Sequence, residues 1–274
     1  MNLERLDAVR DVESLRSFIW DYASEHRRSY PWRETHDPWE VLVSEVMLQQ
    51  TQTDRVVSKY RVFLDRYPVP RALAESSVEE LLGYWKGLGY NRRGLNLLRC
   101  ARMIVDEHGG RVPRDEASLL ALPGVGSYTA RAVLAFAFAE PVVLIETNIR
   151  RLFIHVFFKD DVAVDDRDII PLIEEALDRS DPREWYYALM DVGSELKRHV
   201  ANPNRKSKQY ARQSRFEGSN RQIRGAILGL LLSGARDSDA VFALNFENER
   251  IASQLEALEA EGFLVREDDC VRLL

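Results

Sequence analysis

The sequence predicts an all-α protein with a small winged-helix-like module at its C-terminal end. Apolar side chains recur at helical spacing through roughly the first 196 residues, and the alternating pattern of strands is nearly absent there. After that stretch, three short helical patterns precede a segment of strand character, which is the element order of a winged helix. These two observations define the fold class before any motif is considered.

Ten segments have the apolar periodicity and boundary residues of amphipathic or buried helices. They are residues 12–22, 38–50, 53–67, 77–84, 92–108, 115–121, 128–138, 148–157, 166–176 and 182–196.

The C-terminal module is predicted over residues 218–274, with helices at residues 219–233, 238–245 and 248–261. A β-hairpin follows and turns at Asp268 and Asp269. The third helix and its end carry four glutamates against one arginine, Arg250. This charge favours a structural or protein-contact role for the module over reading of the DNA major groove.

Length, charge and cysteine usage restrict the class of protein. The 274 residues can bury a full core, and the formal net charge of −6 argues against a generally basic nucleic-acid coat. Only Cys100 and Cys270 are present, so neither a disulfide framework nor a cysteine-based metal site is predicted. The sequence has no apolar run of membrane-spanning length and begins without the pattern of a signal peptide, so we expect a cytoplasmic, nucleoid-associated protein that does not bind membranes.

Residues 122–130, Leu-Pro-Gly-Val-Gly-Ser-Tyr-Thr-Ala, form a glycine-rich turn that opens directly into a helix. Gly124 and Gly126 allow positive φ and a close backbone approach, so free N–H groups at the helix start would face an anion such as a DNA phosphate. Val125 and Ser127 belong to the same turn. An ordinary corner between two helices is the alternative for this motif alone.

Three further motifs, taken together with the glycine-rich turn, indicate a protein family. Residues 30–33 read Tyr-Pro-Trp-Arg, residues 44–52 read Ser-Glu-Val-Met-Leu-Gln-Gln-Thr-Gln, and residues 87–90 read Gly-Leu-Gly-Tyr. With these motifs the chain resembles the MutY family, the adenine glycosylases of the helix-hairpin-helix superfamily. The resemblance runs from about residue 28 to about residue 193.

The resemblance implies a two-globule helix-hairpin-helix glycosylase fold over residues 1–217, with the hairpin at residues 118–138 and DNA lying across a cleft between the globules. It also implies a partner, double-stranded DNA with a mismatch or lesion. We expect the protein to act as a monomer.

Excision of a base needs two groups once the nucleotide has been flipped out of the duplex. One protonated carboxyl supplies a proton to the leaving base, and one carboxylate stabilises the positive charge on the sugar. Glu45 lies among apolar residues of a helix, where burial would favour its protonated form. It matches the catalytic glutamate of the family.

Glu146 stands where the family carries aspartate, within Glu146-Thr147-Asn148. The extra methylene moves the carboxylate by about a bond length, and a displacement of order 1 Å can cost roughly a hundredfold in rate. Either the pocket is rebuilt around a longer carboxylate or the activity is lost or changed. The retained Asn148 favours a working Glu146.

Tyr128 occupies the hairpin position that holds lysine in relatives of endonuclease III, and many adenine glycosylases use a tyrosine there. No primary amine is then placed to form a Schiff base, so we expect a monofunctional enzyme without strong lyase activity.

The resemblance assigns further residues to the base pocket, to intercalation and to DNA contact. Gln49 and Gln50 match residues that enter the base stack. Tyr187 replaces a glutamine or glutamate that reads the adenine edge, which weakens the case for adenine. The pocket also includes Arg28, Trp32 and Leu48, and the DNA-binding residues are Gly124, Val125, Gly126, Ser127, Tyr90, Arg205, Lys206 and Lys208.

The chain departs from the family in the loop at residues 197–215. Most relatives hold an iron–sulfur cluster here with four cysteines, and alignment places Lys197, Asn204, Ser207 and Gln213 at those positions. None can serve as a thiolate ligand, so no iron–sulfur cluster is expected. The loop carries basic residues but no acidic ones, which predicts either a solvated charge run or a loop that tracks phosphates. A monovalent cation bound at the hairpin is compatible with the resemblance.

Three functions remain open from the sequence. The leading one is excision of adenine mispaired with guanine or 8-oxoguanine. Tyr187 and Glu146 also permit a glycosylase for thymine or uracil opposite guanine, or for another altered base. The substitution at Glu146 alone supports a third possibility, a catalytically weak protein that binds DNA lesions.

Overall fold

A computed structural model of the chain describes residues 1–211, 213 and 215–274. The α-helices of this part are α1 (Leu3–Asp7), α2 (Val12–His26), α3 (Pro38–Leu48), α4 (Thr53–Arg66), α5 (Pro70–Ala74), α6 (Val78–Trp85), α7 (Arg92–Glu107), α8 (Glu116–Ala121), α9 (Ser127–Phe138), α10 (Thr147–Phe157), α11 (Asp166–Ala176), α12 (Pro182–Leu196), α13 (Asn220–Leu231), α14 (Ser238–Phe242) and α15 (Asn248–Ala260). The 3-10 helices are η1 (Pro31–Arg33) and η2 (Pro203–Lys206), and the strands are β1 (Arg236–Asp237), β2 (Leu264–Glu267) and β3 (Cys270–Leu273).

The predicted all-α class is confirmed, and each of the ten helices expected before residue 197 is present with ends that differ by at most four residues. The prediction missed α1 and α5, which have five residues each. Five residues make little more than one helical turn, which is too short to show apolar periodicity.

The described chain divides into two compact units. The first contains Met1–Val41, Arg114–Leu120 and Val125–Arg212, and the second contains Leu42–Pro113, Ala121–Gly124 and Gln213–Leu274. These units do not test the division of the chain at residue 217, which stays a prediction.

In the first unit, helix α12 packs against α2, α9 and α10. Trp185 and Leu189 of α12 and Leu152 and Phe153 of α10 are completely buried. Helix α12 approaches α10 most closely at Gly193, where a Cβ atom would lie 2.1 Å from the main-chain oxygen of Asn148. The start of α10 is therefore fixed by direct backbone contact.

In the second unit, helix α7 packs against α5 and α6, and α4 packs against α6. Phe63 and Trp85 meet edge to face with ring centroids 6.0 Å apart, an arrangement that aromatic rings favour. Gly94 of α7 faces the Trp85 ring, and a Cβ atom there would lie 2.9 Å from it.

The C-terminal segment has the predicted winged-helix element order. Strands β2 and β3 form an antiparallel hairpin with Asp268 at φ 52° in its turn, as the sequence predicted. Strand β1 pairs with β3 and completes a three-stranded sheet of order β1-β3-β2. The prediction missed β1 because two residues carry no alternating pattern.

Among the described residues, no helix combines the length and the apolar character that crossing a membrane requires.

Replacement of Gly193 by alanine should destabilise the protein, because the added methyl group would collide with the backbone of Asn148 rather than with a flexible side chain. Overpacking of this kind costs about 3 kcal/mol in the free energy of unfolding. Urea denaturation followed by circular dichroism measures the difference.

Gly83→Ala is the matched control, because Gly83 also lies inside a helix but has open space around it. Alanine is the better helix former by up to about 1 kcal/mol, so this variant should equal or exceed the wild type in stability. Equal stability of Gly193→Ala and wild type would contradict the close backbone contact.

Candidate active site

The carboxylate of Glu146 caps the N-terminus of helix α10. Its Oε1 atom accepts hydrogen bonds from the backbone N–H groups of Asn148 at 2.6 Å and Ile149 at 2.8 Å. Its Oε2 atom accepts one from Nδ2 of Asn148 at 3.1 Å. Aspartate and asparagine are the usual acidic and amide caps, and here the longer glutamate fills the same role. The extra methylene is thus accommodated by a carboxylate whose two oxygens are both held.

Opposing effects act on the pKa of Glu146. Burial raises the pKa of this carboxyl, because desolvation penalises its charged form. The backbone N–H groups of Asn148 and Ile149, followed by the charges of Arg151 and Arg150, act in the lowering direction. The net shift is upward, so protonation of the carboxyl occurs at a higher pH than for an exposed glutamate.

Arg151 fixes Asn148, and through it the carboxylate. The guanidinium is buried and donates to Oδ1 of Asn148 at 2.7 Å and to the main-chain oxygen of Gly193 at 2.7 Å. Asn148 can therefore point its Nδ2 only toward Glu146. The sequence analysis missed Arg151, since it stands beside Arg150 in the chain and only tertiary structure distinguishes the buried arginine from its neighbour.

Hydrogen bonds hold the described part of the loop at residues 197–215, in which no iron–sulfur cluster is expected. Asn204 is buried, and its Nδ2 donates to the main-chain oxygen of Thr147 at 2.9 Å, directly beside Glu146. Ser207 forms a parallel bridge with Val164, in which the N–H of Val164 donates to Lys206 O at 2.8 Å and the N–H of Lys208 donates to Val164 O at 2.9 Å.

Basic side chains of this loop differ in their surroundings. Lys206 donates to the main-chain oxygens of Phe158 and Lys159, and Lys208 lies 3.7 Å from Asp165. Arg205 is exposed, and its side chain forms no hydrogen bond or ion pair with any residue that the structure describes. Arg212, another basic residue of the loop, lies outside the described residues. The assignment of Arg205, Lys206 and Lys208 to DNA contact stays a prediction.

Tyr187 lies in an aromatic and cationic stack inside the first unit. Its ring is parallel to that of Phe136 with centroids 4.6 Å apart, and the Arg33 guanidinium lies 4.4 Å from the Tyr187 centroid. Arg33 also forms a buried two-bond pair with Asp191, with both N–O distances at 2.8 Å. Only 4% of Tyr187 is exposed, so a base would meet little of its ring in this conformation.

Arg28 and Trp32 belong to the same region of the first unit. The backbone N–H of Arg28 donates to Asp191 at 3.1 Å, and its guanidinium donates to Ser194 at 2.8 Å. Trp32 is buried and stacks on Tyr30 with centroids 5.1 Å apart. Their roles at a base pocket stay predictions.

The glycine-rich hairpin leaves the start of α9 open. Gly124 has φ 80°, and an added Cβ would lie 2.8 Å from Asn96, so both conformation and space require glycine there. Gly126 caps α9 with φ −94°, so of the two glycines that allow positive φ only Gly124 uses it. Gly126 and Ser127 are exposed, Tyr128 is half-buried, and nothing lies within 4 Å of a Cβ built on Gly126. This open helix start suits an anion.

Glu45 lies in the middle of α3, and only 6% of the residue is exposed. The neighbouring Ser44, Val46 and Met47 are also buried, as the apolar sequence around Glu45 predicts. Its role as the acid stays a prediction.

One arginine holds the turn that follows α3. Arg93 donates to the main-chain oxygens of Val46 at 2.8 Å and Met47 at 2.9 Å and to that of Gln49. Its second terminal nitrogen donates to Thr51, Leu88 and Gly89 at 2.9–3.2 Å. Burial lowers the pKa of Arg93 to about 10, so the group is still charged at neutral pH. No sequence motif indicated this arginine.

The turn presents Gln50 in an unusual conformation. Gln50 is exposed and has φ 54°, a left-handed conformation that a residue with a side chain adopts at a cost of order 1 kcal/mol. Tyr90 also has positive φ, at 47°, and its hydroxyl accepts hydrogen bonds from Arg221 at 2.8 Å and from Gln213. Leu48 and Gln49 are half-buried at the end of α3. Strained residues of this kind cluster at binding sites.

The residues that the structure describes include no group of three or more histidine, cysteine, aspartate or glutamate side chains able to hold a metal ion. Asn204, Ser207 and Gln213 instead form hydrogen bonds, and none has the sulfur that an iron–sulfur cluster needs. The side chains present in this loop do not fit such a cluster.

Comparison with known proteins identifies related chains. Residues 43–170 match the family model of the HhH-GPD superfamily base excision DNA repair proteins. An adenine DNA glycosylase of Mycobacterium tuberculosis is 34% identical over 246 residues, which cover 81% of this chain and 79% of that protein. A thymine/uracil-DNA glycosylase of Pyrobaculum aerophilum is 40% identical over 131 residues, or 47% of this chain and 57% of that protein.

Among solved structures, a thermostable thymine-DNA glycosylase superposes with a TM-score of 0.62 at 28% identity. The superposition covers 67% of this chain and 86% of that one.

Replacement of Arg93 by lysine should destabilise the protein, because one ammonium cannot reach the six oxygens that the guanidinium satisfies. Buried oxygens left without donors cost about 1–3 kcal/mol in the free energy of unfolding. Urea denaturation measures this loss.

Arg66→Lys is the control, since Arg66 pairs with Glu80 at the surface and such pairs contribute about 0–1 kcal/mol. Equal losses for the two variants would contradict the structural role of Arg93.

Proposed function

The chain belongs to the HhH-GPD superfamily of base excision DNA repair proteins and, within it, to the adenine DNA glycosylase family, and from this premise we propose that it excises adenine mispaired with guanine or 8-oxoguanine in duplex DNA. The enzyme is a DNA N-glycosylase. The bond between the base and C1′ of the sugar is hydrolysed, which releases the free base and leaves an abasic site.

The Glu146 carboxylate is the observation that carries this proposal. Positive charge develops on the sugar as the bond to the base breaks, and a fixed carboxylate stabilises it without reorganisation. Both oxygens of Glu146 are oriented by hydrogen bonds at the start of α10, which supports a working glutamate in place of the family's aspartate.

Glu45 is the proposed acid. Only 6% of Glu45 is exposed, and burial favours the protonated form of a carboxyl, which can then pass its proton to the departing base. Water then supplies a hydroxyl group to C1′ and a proton to the solvent or to a carboxylate. Tyr128 at the hairpin offers no amine for a Schiff base, which supports excision without strong strand cleavage.

Thymine or uracil opposite guanine is the second candidate substrate. The superposition on a thymine-DNA glycosylase and the 40% identity to a thymine/uracil-DNA glycosylase both favour it. Tyr187, which offers one hydroxyl where an amide would offer a donor and an acceptor, is compatible with either base. We further propose that the protein acts as a monomer.

The substrate is tested with duplexes that contain A:8-oxoguanine, A:G, T:G or U:G. After incubation with the protein, alkali treatment breaks the strand wherever a base has been removed. We expect breaks at adenine and none without alkali. Breaks at thymine or uracil alone would refute the adenine assignment, and breaks without alkali would refute the monofunctional mechanism.

Glu45→Gln should lower the single-turnover rate on the preferred duplex by about a hundredfold or more, because a positioned acid contributes about 10²–10⁴ in rate. Glu79→Gln is the matched control, since Glu79 is an exposed glutamate on another helix of the same unit. Equal rates for Glu45→Gln and wild type would remove Glu45 from the mechanism.

Glu146→Gln should lose activity but gain stability at neutral pH. The amide keeps an oxygen to cap α10 and removes the charge that burial disfavours. Because the pKa of Glu146 is raised in the folded state, its contribution to stability is complete at low pH and is lost as pH rises through that pKa. The advantage of the variant in the free energy of unfolding should therefore grow with pH above about 4.5.

Denaturation curves between pH 4 and 8 check the stability, and single-turnover kinetics check the activity. Excision by the wild type should also decline as Glu146 becomes protonated. A stability difference that is independent of pH would contradict a raised pKa for Glu146.

A further inference from the structure

The second unit contains a cavity of about 1090 Å³ between the segment before helix α7 and helix α13 of the C-terminal module. Among the described residues that line it, six side chains are cationic and none is a carboxylate. The cationic residues are Arg55, Lys86, Arg92, Arg93, Arg221 and Arg224.

The positive charge of the cavity is only partly compensated by the protein. Arg92 and Arg224 share one carboxylate, that of Glu261, which therefore leaves one of the two charges unbalanced. Arg93 is half-buried and donates only to neutral oxygens. The side chains of Arg55 and Lys86 are exposed, and neither forms a hydrogen bond or ion pair with any residue in the described part of the chain. A polyanion would thus find free cations at this surface.

Helix α13 contributes the C-terminal side of the cavity. Arg221 donates to the Tyr90 hydroxyl at 2.8 Å and lies 6.0 Å from the ring of Phe216, which is 59% exposed. Gly225 and Gly229 lie farther along the same helix and also line the cavity. Neither has a side chain, so the helix backbone is accessible there. Arg221 is half-buried, and a cation placed beside aromatic rings and exposed backbone is a combination that binds nucleic acid.

The third helix of the module has the opposite character. Arg250 of α15 is held by Gly218 and Asn220, while Glu249 and Glu256 leave this helix acidic. A duplex cannot favourably place its phosphates against such a surface. The charges of the module therefore favour DNA contact through α13 and disfavour the usual recognition by the third helix.

We propose that the cavity binds the sugar–phosphate backbone of the DNA substrate, and that α13 supplies part of this contact through Arg221. The C-terminal module then increases the affinity for duplex DNA without reading its sequence. The identity of the ligand as DNA rests on the proposed function.

Fluorescence anisotropy with a labelled duplex, carrying either A:8-oxoguanine or no mismatch, tests the contact over a range of salt concentrations. The variants are Arg221→Gln and the double variant Arg55→Gln with Lys86→Gln. Each lost phosphate contact should reduce the slope of log affinity against log salt by about 0.9. We expect weaker binding of both duplexes by about threefold or more for each charge removed, in line with uniform loss of phosphate contacts.

Arg272→Gln is the matched control, because Arg272 is an exposed arginine of the wing that pairs with Glu267 and does not line the cavity. It removes the same charge from the module and should leave the salt slope unchanged. Thermal unfolding of each variant confirms that the fold is retained. A fall in affinity for Arg272→Gln equal to that for Arg221→Gln would show general charge attraction and overturn the cavity site.

Single-turnover excision at saturating protein separates this inference from the proposed function. If the wild-type protein binds DNA but excises no adenine, adenine is refuted as the substrate. The affinities of the cavity variants still test whether the cavity contacts DNA. If excision proceeds and both cavity variants bind with wild-type affinity and salt slope, the inference is wrong. Wild-type protein without affinity for DNA would overturn both.

Discussion

A single carboxylate at the start of α10 is the constraint on which the first unit depends. The carboxylate of Glu146 accepts hydrogen bonds from two backbone N–H groups and from the side chain of Asn148. Arg151 orients Asn148, and Gly193 allows α12 to approach the backbone of the same residue. Since burial raises the pKa of the carboxyl, the protein holds an ionisable group where its charge is disfavoured. Such a cost is typical of a site shaped for catalysis rather than stability.

In the loop after α12, hydrogen bonds hold the residues that the sequence analysis aligns with cluster ligands. Asn204 and Ser207, which align with cluster ligands of relatives, are buried and hydrogen-bonded to neighbouring segments. The contact between Asn204 and Thr147 couples this loop to the residue next to Glu146. Local hydrogen bonds therefore support the start of α10 from this side.

In the second unit, Arg93 has the corresponding organising role. One guanidinium satisfies oxygens at the end of α3 and in the segment before α7, so it fixes two turns at once. Gln50 and Tyr90, the non-glycine residues with positive φ in these turns, are strained because that arrangement holds them. The same region borders the cationic cavity, where the C-terminal module adds Arg221. Charge alone divides the module into a basic first helix and an acidic third helix.

The sequence by itself determined the helical class, the positions of the main helices and the family, because apolar periodicity and the motifs around Glu45, Gly124 and Glu146 are local patterns. It also indicated that a thiolate-bound cluster is incompatible with Asn204 and Ser207. Only the tertiary structure decided which arginines are buried, that one oxygen of Glu146 caps α10 while the Asn148 side chain holds the other, and that Tyr187 lies between Phe136 and Arg33. Apart from the cap, these features arise between residues distant in the chain, such as Arg33 and Asp191. Burial and hydrogen-bond partners over such separations leave no periodic signal in a single sequence.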